Sequence, residues 1–425
     1  MNPRELVSHL SEFRRERTLF EAPGAAVTEI AVGGIRVPRI TNELWAAAQR
    51  QGHSLHEISY RACFKAELPR FFITRLSQEG DRILDPFLGR GTTLLEAALL
   101  DRVPCGSDVN PLSRILIEPR LDPPGLTEIR ARLAEWRSQA RDPEPDEGEP
   151  DLSVFYEEKT LADIRALRRW FLAREGTGDL DRVDRWLRMV ATNRLTGHSS
   201  GFFSGRTMPP NQAVSVATQR KLNERLGLEP PRRDVEALIL KKSRSLLRSL
   251  DPFQLACLRR NAGKMCLFTG RADRLSAVPA GSIQCTVTSP PFLDVVDYAK
   301  DNWLRCWFCG LDAERIGSQV TTSRRLEDWT RLIGAAMCEL HRVTRPGGWV
   351  VFEVGEVRRG SLLLEEPVLP LARDAGFEPV AVVVHSQRFT KTANCWGVAN
   401  NRLGTNTNRL VLLHKPGARK AGRSR

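Results

Sequence analysis

The stretch Asp81-Arg-Ile-Leu-Asp-Pro-Phe-Leu-Gly-Arg-Gly-Thr-Thr93 commits this chain to a strand, a tight turn and a helix in immediate succession. Ile83 and Leu84 favour an extended, buried segment. Pro86 has no N–H to give a ladder, so the strand ends at Asp85. Gly89 and Gly91 accept backbone conformations closed to other residues and let a ligand approach the main chain. From Thr92 the Leu-Leu-Glu-Ala-Ala-Leu-Leu run is helical, and its first N–H groups have no partner inside the helix. Such a unit is the seed of a mostly parallel sheet with helices on both faces.

A second stretch, Gln284-Cys-Thr-Val-Thr-Ser-Pro-Pro-Phe-Leu-Asp294, is a β-branched run stopped by two prolines. It places Ser289 and Phe292 in a rigid loop just past the carboxyl end of a strand, where open α/β sheets bind ligands. A hydroxyl, a proline carbonyl and an aromatic face there suit one flat ring bearing an amine. Between these stretches, Pro104-Cys-Gly-Ser-Asp-Val-Asn-Pro111 supplies another strand, ending in Asp108. A carboxylate so placed either binds the ribose hydroxyls of a nucleotide-like cofactor or caps the following helix.

Strands are expected at 265–269, 349–353, 379–385 and 409–414, and helices at 70–76, 294–311, 326–344 and 365–375. The alternation gives an α/β, doubly wound, mostly parallel sheet. No helix separates the last two strands, so an antiparallel edge insertion is expected. Residues 1–57 give a short helix at 5–15 and a hairpin at 29–38 turning on Gly33-Gly34.

Residues 119–264 break the alternation with helices at 128–140, 160–174, 181–193 and 232–250. Within them Arg141-Asp-Pro-Glu-Pro-Asp-Glu-Gly-Glu-Pro150 reads as a mobile acidic linker. The Gly/Ser/Pro loop 195–212 carries Phe202, Phe203 and Arg206 and reads as functional, through base stacking or phosphate contact. His198 is not needed as a base.

The formal net charge of +13 points to a polyanionic partner. Between Trp186 and Met265 stand 15 Lys/Arg against 5 Asp/Glu, a net of +10 in one segment. No apolar run has the length of a membrane span, and the first residues lack the apolar core of an export signal. Nine scattered cysteines suit reduced, buried thiols. Cys306-Trp-Phe-Cys309, with no second pair, is one face of a helix rather than a zinc site, and no metal is expected.

Asp85-Pro-Phe-Leu-Gly-Arg-Gly-Thr-Thr93 followed by Thr288-Ser-Pro-Pro-Phe292 resembles the exocyclic-amino DNA methyltransferases, which make N4-methylcytosine or N6-methyladenine. The resemblance spans roughly residues 58–118 and 265–414. It implies a Rossmann-like, seven-stranded sheet that uses S-adenosyl-L-methionine, with a large helical insert for target recognition. Five parts follow: an N-terminal extension (1–57), the cofactor half (58–118), the basic insert (119–264), the second catalytic part (265–414) and a basic disordered tail (415–425). By the same resemblance Asp85, Pro86, Phe87, Gly89, Gly91 and Thr92 form the cofactor loop. Asp108 holds the ribose, Asp273 the adenine amine, and Phe64 and Lys65 lie near the methionine end. Ser289, Pro290, Pro291 and Phe292 form the catalytic pocket, and Ser at its first position leans toward cytosine N4.

The implied partner is double-stranded DNA with its target base flipped out, in a prokaryotic cytoplasm at the nucleoid, with a restriction endonuclease as a possible companion. Adenine N6 is the alternative, followed by an RNA base methyltransferase and a non-catalytic nucleic-acid-binding protein. A C5-cytosine mechanism is disfavoured, because the loop after the catalytic strand holds Ser289-Pro-Pro-Phe and no cysteine; Cys105 precedes Asp108 on another strand.

Overall fold

The computed structural model describes residues 1–14, 25–45, 52–60, 63–139, 144–208, 213–291, 298–319, 325–357, 362–386 and 407–417. Its strands are β1 (Ala26–Val32), β2 (Ile35–Asn42), β3 (Arg82–Asp85), β4 (Val103–Asp108), β5 (Cys266–Thr269), β6 (Ile283–Thr288), β7 (Thr344–Val354), β8 (Glu356–Val357), β9 (Leu362–Leu363), β10 (Glu378–Ser386) and β11 (Thr407–His414). Nine of them form one sheet in the order β1-β2-β10-β11-β7-β6-β3-β4-β5, while β8 and β9 form a separate small hairpin.

The half that carries the two motifs is parallel throughout: β7, β6, β3, β4 and β5 all run one way. All their carboxyl ends therefore open on one edge. β11 runs antiparallel, with Leu410 opposite Glu353, and sits between β7 and β10 instead of at the edge the sequence suggested.

Seven strands were expected; the sheet exceeds that number because the N-terminal hairpin joins it. Gly33 and Gly34, at φ +56° and +77°, make the two-residue turn between β1 and β2. β2 then pairs in parallel with β10. The helix Pro3–Glu12 is started by an Asn2–Glu5 capping box and buries Leu6 and Leu10 against Ile40, Phe71 and Phe72.

Neighbouring residues of each strand feed opposite faces, as Ile83 and Leu84 do on β3. One face packs on helix Glu67–Leu76, the other on Leu326–Val343 and Glu365–Asp374. The cofactor-half helices Thr92–Leu99 and Pro111–Leu121 share a third cluster with Leu126–Gln139, Glu158–Thr177, Arg182–Arg194 and Val235–Leu247. Trp136, Phe171 and Trp186 fill its centre. At its flank Asp184, fully buried, is held by Arg132 and Arg174.

The acidic stretch expected to be mobile is tied down where it is described. Glu149 meets Arg165 at 2.6 Å, and Asp146 pairs with Arg168 and Arg169. The stretch complements the basic face of Glu158–Thr177, a pairing that proline and charge content conceal. Residues 140–143 lie outside the described residues, as does the tail from 418, although Lys415 donates to the His341 and Thr344 carbonyls. Among the described residues no helix is long and apolar enough to cross a membrane.

Candidate active site

At the carboxyl edge, β3, β4 and β6 are stitched together by short side chains. Asp85, 1% exposed, accepts from the Thr288 hydroxyl at 2.6 Å and from the Phe87 N–H at 3.1 Å. The Thr93 hydroxyl donates to the Val287 carbonyl at 2.9 Å. Asp108 accepts from the Gly89 N–H at 2.8 Å with one oxygen and from the Asn110 N–H at 2.9 Å with the other. The Ser113 hydroxyl and the Val109 N–H also bear on this carboxylate, which is only half-buried and lines the cavity described next.

Gly91 caps helix Thr92–Leu99 at φ +78°, and a β-carbon there would lie 2.5 Å from Ile117. Gly89, at φ +51°, has nothing nearer than 3.8 Å to such a carbon. Gly91 is thus required by packing as well as by backbone conformation, and Gly89 by conformation alone.

Above these bonds lies a cavity. Pro86, Phe87 and Gly89 line it from the first loop, and Asp108, Val109 and Asn110 from the second. Gly270, Arg271 and Ala272 close it beyond β5, and Ser289 and Pro291 beyond β6; Tyr60, Gln319 and Leu332 complete the wall. The Pro291 carbonyl accepts from the Trp329 indole at 2.9 Å, which fixes the proline loop against helix Leu326–Val343.

Of the other residues expected here, Phe64 packs against the apolar cluster around Phe71 and Phe72, and neither it nor Lys65 lines the cavity. Thr92 is buried and accepts from Arg90. Pro290 is buried beside the lining. Asp273 is clasped by Arg271 at 2.9 and 2.6 Å, which holds its carboxyl below the usual range, and lies outside the lining that its neighbours form. Phe292 lies outside the described residues.

Tyr60, Gln319 and Leu332 in the lining, and Trp329 and Glu353 behind it, carry no motif. Glu353 is 6% exposed near the carboxyl end of β7, bonded at 2.6 Å by the Asn408 amide and standing next in register to Ser289, since Thr288 pairs with Phe352. One signal for it did exist: an acid inside the unbroken apolar run Val350-Val-Phe-Glu-Val354.

Burial pushes the Asp85 carboxyl up to about 7, against the pull of Thr288 and Phe87. Burial raises Asp108 too, opposed by the N–H groups of Asn110 and Gly89. Between about pH 4 and about pH 7 the native chain holds an Asp85 proton that the unfolded chain has released. Stability therefore falls as pH rises through that window, by at most about 1.4 kcal/mol per pH unit. Urea titrations of Asp85→Asn are expected to lack that slope; an unchanged slope would remove Asp85 as its source.

The loop 195–208 is less available than its composition suggests. Phe203 is fully buried, and Phe202 lies under the Arg194 guanidinium at 4.1 Å. The loop closes on itself through Thr207 N–H to the Gly197 carbonyl. Arg206 alone of the three singled out is exposed. The charge excess of 186–265 is likewise partly spent. Arg188, Arg220, Lys242, Arg248 and Arg260 pair with Glu175, Asp151, Glu57 and Asp101, all outside the segment. Arg206, Lys221, Arg225, Arg232, Lys241, Arg244, Arg259 and Lys264 stay exposed, with no salt bridge among the described residues.

Residues 36–113 match the family described as DNA methylase, of the N6/N4 class, as the paired motifs led us to expect. The type II methyltransferase M.BsoBI of Geobacillus stearothermophilus is 42% identical over 72 residues, 16% of this chain and 14% of that enzyme. M.MjaII of Methanocaldococcus jannaschii, also a type II methyltransferase, is 27% identical over 90 residues, 21% of this chain and 17% of that enzyme. The chain thus matches under a fifth of either relative's length. Among solved structures, a putative DNA modification methylase of Thermus thermophilus in complex with S-adenosyl-L-methionine aligns at TM-score 0.23 and 21% identity, over 35% of this chain and 54% of that one. The rRNA methyltransferase aviRa of Streptomyces viridochromogenes aligns at TM-score 0.34 and 15% identity, over 88% and 97%. The likeness to the family lies in the matched segment, which holds β3, β4 and the loops between them.

Proposed function

We propose that this member of the exocyclic-amino DNA methylase family transfers a methyl group from S-adenosyl-L-methionine to the exocyclic amine of a flipped DNA base, with cytosine N4 as the favoured acceptor. The observation that carries the reading is that Ser289 lines the same cavity as Gly89 and Asp108. The lining fits the methyl donor: the half-buried Asp108 carboxylate for ribose hydroxyls, the half-buried glycines Gly89 and Gly270 that let a ligand approach the main chain, and the rings of Tyr60 and Phe87 for a flat base. Arg271 and Ala272, beside the Asp273 ion pair, would border the adenine end, so that pair opens if Asp273 is to take the amine. Bound there, the sulfonium supplies an electrophilic methyl group.

The chain's own residues then have to seat the target amine. Trp329 occupies the Pro291 carbonyl, so in this reading the amine meets the Pro290 carbonyl and the Ser289 hydroxyl. Two acceptors hold both N–H bonds and aim the nitrogen lone pair, and positioning of this kind supplies much of the rate in a direct displacement. Phe292 is proposed as the stacking face for the flipped ring. The exposed cations of the insert between Lys221 and Lys264 for which no salt bridge is found among the described residues suit the phosphate backbone. Site-specific action is part of the proposal, as the resemblance of the paired motifs implies.

Ser289→Ala is expected to keep cofactor affinity, measured by calorimetry, and to lose turnover by about 100-fold, the scale of one precisely placed polar contact. Unchanged turnover would remove Ser289 from the pocket; lost cofactor binding would move it to the cofactor's side.

A further inference from the structure

Glu353 is a buried acid for which no ion pair is found among the described residues. β7 carries it toward the carboxyl edge, on the sheet face that also holds Val351, Val287 and Leu410. Its contacts come from two neighbouring strands. Ser289 stands beside it in register just beyond β6, close enough for its hydroxyl to lower the carboxyl's pKa, and the Asn408 amide bonds it from β11. The charged and titratable groups nearby are engaged elsewhere. Arg409, next along β11, faces away and is held by Glu365. Asp85 is bound by Thr288. His385, opposite Asn408 on β10, accepts from the Leu44 N–H. Burying a carboxylate without a cation costs several kcal/mol, a cost structures keep mainly where the group has work to do.

A hydroxyl has one proton and two lone pairs. Where the Ser289 proton points at Glu353, its lone pairs are left facing the cavity. Resting on the base-methylation reading, we propose that Glu353 is the positioning residue that orients Ser289 and, through it, receives the proton released by the target amine.

The nitrogen–carbon bond forms with the nitrogen's electron pair, and the sulfur keeps the pair of the bond it loses. The nitrogen then carries one proton too many. That proton moves to Ser289 Oγ as the Ser289 proton moves to a Glu353 oxygen, leaving a neutral serine and a carboxylic acid. Glu353 gives the proton to water before the next turnover. Burial raises the Glu353 carboxyl above its usual range, while Ser289 and Asn408 pull it back. A base poised nearer neutrality is suited to accept and then release a proton at working pH. Only the ionised form accepts, so the methylation rate rises with pH through the Glu353 titration.

The test combines single-turnover methylation across pH with an infrared titration of the Glu353 carboxyl, taken as wild type minus Glu353→Gln. Calorimetry of S-adenosyl-L-methionine binding accompanies both. Glu353→Gln is expected to bind the cofactor normally, to methylate about 100-fold more slowly, and to lose the acid limb of the rate profile. Glu353→Asp is expected to restore part of the rate and the limb. Ser289→Ala is expected to shift the Glu353 band to higher pH, because it removes a bond that favours the ionised form. A wild type that methylates DNA alongside a Glu353→Gln that keeps the full rate or the same acid limb would overturn the role of Glu353 alone. A wild type that methylates no nucleic acid, with the Glu353 band still responding to Ser289→Ala, would overturn the base-methylation reading and the proton role with it.

Discussion

Gly91→Ala is expected to unfold the cofactor loop. Its φ of +78° costs a residue with a β-carbon about 1–2 kcal/mol. The new carbon would also lie 2.5 Å from Ile117, and overpacking of that kind adds about 1–3 kcal/mol. Together they amount to about 2–5 kcal/mol, a large share of the stability of an ordinary domain. Urea denaturation should show the loss, and cofactor binding should disappear under conditions where the wild type binds. Gly89→Ala is the internal control. Its φ of +51° is also left-handed, but its nearest neighbour is 3.8 Å away, so only the conformational part applies. Equal effects at the two positions would mean that Ile117 gives way and that packing does not set the requirement for Gly91.

Asp108→Ala is expected to weaken cofactor binding about 1000-fold, by a larger margin than the loss of one hydrogen bond explains. The carboxylate has a double task. It fixes the Gly89 and Asn110 N–H groups, and in the proposed complex its remaining lone pairs take the ribose hydroxyls. Stranding a buried N–H costs about 1–3 kcal/mol, and a charged hydrogen bond is worth about 1.5–3 kcal/mol. Hydrogen exchange separates the two tasks. If Asp108 organises the loop, the Gly89 and Asn110 amides exchange faster in the ligand-free variant. If their protection is unchanged while affinity falls, Asp108 acts on the ligand only.

These residues also mark where the sequence was readable. β3 begins and ends where Arg82 and the Asp85-Pro86 step put it, because proline fixes a boundary locally. The glycine turn, the helix at Thr92 and Asp108 closing β4 were legible for the same reason. Helix Pro111–Leu121 was not. Pro119 looks like a breaker, because it has no N–H to give the Ile115 carbonyl, yet the helix runs two residues past it.

Long-range pairing was the larger blind spot. A count along 186–265 cannot include Glu57, which lies far back in the chain yet pairs with Lys242 and Arg248. Phe203, in a loop rich in glycine and serine, resembles a stacking platform until the helices beneath it are in place. Glu353 is the sharpest case. An acid in an apolar strand is visible in the sequence, but its neighbour Ser289 follows a different strand, and only sheet order and register bring them together.

The most direct measurement is the identity of the methylated nucleoside. The purified protein is incubated with labelled S-adenosyl-L-methionine and mixed-sequence DNA, with an RNA sample alongside. Both are digested, and the labelled nucleoside is identified by mass spectrometry. The account predicts label in DNA as N4-methylcytosine. Label as N6-methyladenine would contradict the assignment of the base and leave the amine chemistry standing. Label confined to RNA, or absent from both samples while the cofactor still binds, would contradict the central claim.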